Sequence, residues 1–166
     1  LPSIMNGAKD FSPWSKNDDL LYKTMRIPVE AVLGKDGVGL ADCAIAESKF
    51  EKGEDISGRI LLLVSQLGEV QKKGTPDIEF AMVGLLARSQ IALGRAEDAL
   101  RTVQMARERF EENGHTRFFH NMDAVLCRIW LHMDDFERVQ VWYREQAPKD
   151  PLHLNVLKRY QYLTQA

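Results

Sequence analysis

The chain is poor in the residues that would announce a chemistry. Among its 166 residues are only two cysteines, Cys43 and Cys127, neither in a CxxC pair nor with a histidine at ligand spacing. A disulfide framework is thereby excluded, and the two read as small buried hydrophobes of a reducing cytosol. Long apolar runs are missing too. The longest, Ile60 to Val64, is far short of a bilayer span, and Leu1 to Asp10 lacks the basic start and apolar core of a secretory signal. Positive charge is not in excess, with 22 Lys plus Arg against 24 Asp plus Glu, a formal charge of −2 and a pI near 6.1. Such a balance gives no general attraction to a phosphate backbone, and no basic recognition helix stands out. Membrane insertion and direct nucleic-acid contact are not expected.

Catalytic signatures are equally scarce. No GxxxxGK[ST] phosphate loop occurs; Gly34 to Gly39 contains Lys35, but in the wrong order to cradle a nucleotide. His115, His120 and His153 lie near turns and share no metal-like spacing. No Ser, His and Asp set or pair of carboxylates stands at a defined spacing. The chain therefore reads as a non-enzyme without catalytic, cofactor-binding or metal-binding residues.

What it does have is a repeat. Around Gly94 two apolar-periodic segments meet: Ala87 and Leu93 on one side, Ala96, Ala99, Leu100, Val103 and Ala106 on the other. A shift of 40 lands on Cys127, Asp134, Asp135, Phe136, Val139, Tyr143 and Gln146; a shift back of 41 lands on Ala46, Gly53, Glu54, Asp55, Gly58, Leu62 and Ser65. A fixed period of this length marks a helical solenoid, whose units cannot bury their apolar faces alone and must stack.

The repeat partitions the chain. Residues 1–14 mix Pro2, Gly7 and Pro13 without periodicity and read as a lead-in loop. Ser15 with Asp18 and Asp19 is a helix start, Pro28 predicts a break or kink at Ile27, and a short helix follows to Leu33 before the turn Gly34–Gly37. Three helix pairs are expected over 38–74, 77–114 and 118–148. The first has Leu40 to Phe50 followed by a stripe of Ile60, Leu63, Val64 and Leu67, and Lys72 to Pro76 closes it. In the second, Phe80 to Leu93 is apolar almost all round, as in a helix sandwiched between neighbours, whereas Ala96 to Glu112 has one narrow stripe, Ala99, Val103, Ala106 and Phe110. Short side chains at Ala87, Ala99 and Ala106 suit helices that approach to roughly 8–10 Å. Phe118 and Phe119 are expected to staple the entry to the third pair, where Trp130 and Tyr143 sit at interior positions. Extending the period places Leu163 and Ala166 where Asp123 and Leu126 stand one unit earlier, so 152–166 reads as the truncated first helix of a further repeat in a piece of a longer protein.

The second unit resembles a tetratricopeptide repeat, with Leu86, Ala87, Gly94, Ala99, Val103 and Ala106 in the order of that motif's small and large positions. Val83 and Asp123 replace the motif's early Trp, and Gln90 and Trp130 its first-helix Tyr; the period is longer than that family's 34 residues. The string from Met5 to Ser12, then Leu33 to Asp42 and Ala44 to Ser48, with Lys158 to Thr164 at the far end, is similar to the central helical region of the large LuxR-type ATP-dependent transcriptional activators, the MalT-like group. That resemblance implies an all-α fold, a TPR-like right-handed superhelix of antiparallel helix pairs. It implies a parent whose ATP-binding ATPase and DNA-binding helix-turn-helix lie outside this segment. The segment itself would be a cytoplasmic sensor or interaction domain. Its partners would be a small-molecule inducer or a regulatory protein, the parent's other domains, and further copies through self-association. The alternative is a generic TPR-like protein-interaction scaffold.

In such a solenoid the first helix of each unit lines the concave surface. Counting back from the turns puts Ala81, Gly84, Arg88 and Ile91 there, then Asn121, Ala124, Arg128 and Leu131, and Leu40, Cys43, Glu47 and Phe50. Arg88 and Arg128 occupy equivalent places and could together grip a carboxylate, a phosphate or an acidic peptide. They could equally pair with neighbouring acids, Glu47 among them, and merely solubilise the groove. Glu47, Arg88, Asn121, Arg128 and His132 are thus the candidate groove contacts.

Overall fold

A computed structural model describes residues 24, 27–29, 31–37, 39–54, 57–73, 75–149 and 158–166. Among these residues there is no strand; the chain is all-α. Among the described residues the chain forms α1 (Leu40–Glu51), α2 (Ser57–Lys73), α3 (Pro76–Ala92), α4 (Ala96–Glu112), α5 (Phe119–His132), α6 (Phe136–Glu145) and α7 (Arg159–Gln165), with short 3-10 turns at Gly34–Gly37 and Thr116–Phe118. No helix among the described residues is long and apolar enough to cross a membrane. The chain divides into two compact units, Leu1–Leu85 and Leu86–Ala166, with the division falling inside α3.

In the first unit, Ile27, Pro28 and Val29 are all helical, so the chain does not break at Ile27. The proposed start at Ser15 and the lead-in loop lie outside the described residues. Helix α1 begins at Gly39, whose φ of 78° is left-handed. A Cβ there would stand 2.5 Å from Val70 Cγ2 and 3.0 Å from Met82 Cε, so only glycine satisfies both the dihedral and the packing. Ala41 to Ala46 are all buried, because α1 is covered on more than one side and its small side chains permit it. The core joins Cys43 and Ala46 of α1, Leu63 and Val70 of α2, and Ile78, Met82 and Leu85 of α3. Each large side chain among them contributes about 1.5–3 kcal/mol of burial.

Helix α2 turns a different face inward from the one the repeat assigned. Ile60, Leu63 and Val70 are buried, whereas Val64 is exposed. Gly58 and Ser65, matched to the buried Ala99 and Ala106, are exposed as well, and Leu62 is half-buried. Each residue turns the helix about 100°, so Val64 leaves the stripe that Leu63 belongs to. Pro76 opens α3 instead of closing the unit before it. As first helical residue its missing N–H costs nothing, and Thr75 O accepts from Ile78 N and Glu79 N at 3.1 Å each.

In the second unit, α4 buries Ala99, Val103, Ala106 and Phe110 and leaves its charged face in water. Thr102 Oγ1 donates to Gln90 Oε1 at 3.1 Å, tying α4 to the end of α3. Phe118 is buried with its ring 5.2 Å from Phe110, so it does staple the entry to α5. Arg107 Nε lies 3.1 Å from Asp123 Oδ1 on α5, and the same guanidinium stands 4.5 Å over Phe119. Helix α6 is capped by Asp135, whose Oδ1 accepts from Arg138 N at 3.3 Å. Trp142 packs with Ala124, Cys127 and Ala147, and Trp130 and Val139 border that cluster.

Four helix ends share one geometry. Gly53, Gly94, Gly114 and Asp134 have φ of 68°, 72°, 72° and 59°. Each donates its N–H to the carbonyl three residues back, on Phe50, Ile91, Glu111 and Leu131, and the next residue donates five back, to Lys49, Gln90, Phe110 and Trp130, at 2.7–3.3 Å. This double closure satisfies the orphan carbonyls of the last turn and needs a left-handed residue. The ends at 53, 94 and 134 are those named by the repeat.

Candidate functional site

Of the five groove candidates, α5 carries three on one face, since Asn121, Arg128 and His132 follow at seven and four residues. They are not equally open. Gln161 Nε2 of α7 donates to Asn121 Oδ1 at 3.2 Å, and Thr164 Oγ1 donates to Ala124 O at 3.3 Å. Ala124 is fully buried. Helix α7 therefore covers the N-terminal half of the stripe, and Asn121 is part of its seat. Arg128 is half-buried and His132 exposed. Among the described residues no side-chain hydrogen bond or ion pair holds the Arg128 guanidinium or the His132 imidazole.

Arg88 is half-buried on α3, in the same unit. Glu47 is half-buried on α1, in the first unit. Both already have interactions of their own. The equivalence of Arg88 and Arg128 is thus one of register and partial burial, six residues before the left-handed residues at 94 and 134.

One aromatic expectation changes. Tyr143, assigned to the interior, is 59% exposed, and the adjacent Trp142, 3% exposed, takes the inward place. The larger indole fills the space beside the small Ala124 and Cys127, and once it does, Tyr143 is carried about 100° outward. Phe136 and Gln146, matched to Ala96 and Ala106, are exposed for the same reason. Trp130 is half-buried at the edge of the cluster, with the Arg138 guanidinium 5.7 Å from its ring centroid. The indole N–H groups of Trp130 and Trp142 are buried without an acceptor. Leaving a buried donor unpaired costs about 1–3 kcal/mol, so both indoles are held for their apolar bulk.

Cys127 lies in this cluster, and burial pushes its thiol up to about 11, against a smaller opposing pull from the Arg128 charge. Such a thiol stays protonated near neutrality and is a poor nucleophile. No group of three His, Cys, Asp or Glu side chains among the described residues could hold a metal ion.

Sequence reasoning missed the seat of α7, although its signal was present: Gln161 and Thr164 stand 40 residues after their partners Asn121 and Ala124, which is the period itself. It also missed that Phe136 and Tyr143, seven residues apart on one face of α6, are both exposed. No protein-family model, no curated protein and no solved structure matches the chain.

Proposed function

We propose that this chain is a binding module of the helical-repeat type, a TPR-like right-handed superhelix, and that it acts by presenting the first helices of its pairs to a partner. The observation that carries this reading is the contact of α7 with α5. Residues 40 apart meet there, Gln161 on the Asn121 side chain and Thr164 on the Ala124 carbonyl, as residues do when successive repeats stack in step. In this reading Arg128, with His132 one turn on, forms the open part of the receptive stripe, Arg88 extends it, and Asn121 belongs to the stacking seam.

The more specific assignment, a regulatory sensor domain of a LuxR-type transcriptional activator, rests on the likeness of residues 5–12, 33–48 and 158–164 alone. An inducer or regulatory protein on the stripe would shift the parent toward a self-associating form only by binding that form more tightly than the resting one. The test is the response of the full-length protein carrying Arg88→Ala and Arg128→Ala. Inducer response should fall at least tenfold while circular dichroism stays helical, and an unchanged response overturns the sensor stripe. The generic scaffold is favoured by the apolar edge at Phe136 and Tyr143, which offers a protein partner more than a small anion. Flanking coding sequence without a phosphate loop and a helix-turn-helix would decide for it.

A further inference from the structure

We draw no further inference here: the strongest candidate, the exposed apolar face of α6 at Phe136 and Tyr143, is an unpartnered helix face, and nothing in the structure shows what covers it.

Discussion

Helices α4 and α6 begin at the same distance from equivalent turns, yet they present different faces to their neighbours. In α4 the inward residues are Ala99, Val103, Ala106 and Phe110; Val103 is 1% exposed. In α6 the residue one period later, Tyr143, points outward, and Trp142 is buried in its place. The turns preceding the two helices make the same hydrogen bonds, Gly94 N to Ile91 O at 2.8 Å and Asp134 N to Leu131 O at 3.3 Å. A repeat is therefore transmitted through backbone closure at helix ends, while the rotation of the following helix is decided by its largest side chain. One residue of difference is worth about 100°.

The sharpest way to probe this contrast is to empty the two pockets. Phe110→Ala and Trp142→Ala should each lower stability by about 3–5 kcal/mol, measured as a shift of the urea midpoint at constant slope. Trp142→Phe keeps the ring and removes the unpaired donor, and should lose less than half of what Trp142→Ala loses. A full-sized loss from the phenylalanine variant would show that the indole N–H has an acceptor.

The junctions should respond less. Arg107→Ala deletes both the Asp123 ion pair and the stack on Phe119, and an expected cost of about 1–2 kcal/mol would appear in thermal unfolding. Its effect should be larger than that of Arg138→Ala, whose guanidinium stands farther from its ring, 5.7 Å from Trp130, and whose pairing with Asp135 is within one turn and half open to solvent. At the turn itself, Asp134 occupies a dihedral that favours glycine. Asp134→Gly should therefore stabilise the chain by about 0.5–1 kcal/mol, whereas Gly94→Asp should destabilise it by a similar amount. Equal signs in the two experiments would break the equivalence of the turns.

The smallest effect belongs to the outward ring. Tyr143→Ser should change stability by no more than about 0.5 kcal/mol, as for other surface positions. A cost approaching that of Val103→Ala would mean that α6 is seated by the face the repeat assigned.

The parts of the fold that local chemistry determines were legible in the sequence. Gly53, Gly94 and Gly114 mark left-handed helix ends whatever surrounds them, and the Ala99, Val103, Ala106 and Phe110 stripe has a single apolar face to offer. Asp134 was legible only through the period, because aspartate takes this conformation at a cost. The faces of α2 and α6 were legible only in part: Ile60, Leu63 and Leu67 of α2 and Val139 of α6 face inward as their spacing implies, whereas Val64 and Tyr143 do not. Each has two competing apolar stripes one residue apart, Leu63 against Val64 and Trp142 against Tyr143, and the choice depends on the volume left by other helices. Pro76 was ambiguous in the same manner, since proline both stops one helix and opens the next. For the candidate site, the shared face of Asn121, Arg128 and His132 followed from helical spacing, whereas the cover over Asn121 required the tertiary partner Gln161.

The two cysteines give this molecule a built-in clock. Cys43 is enclosed within the first unit and Cys127 within the second. A small alkylating reagent reaches either sulfur only during a transient breach of the surrounding helices, and the protonated state of Cys127 suppresses reaction through brief partial breaches. Mass spectrometry of the two labelled peptides over time would thus read the opening of each half of the chain separately, with no substitution in the sequence.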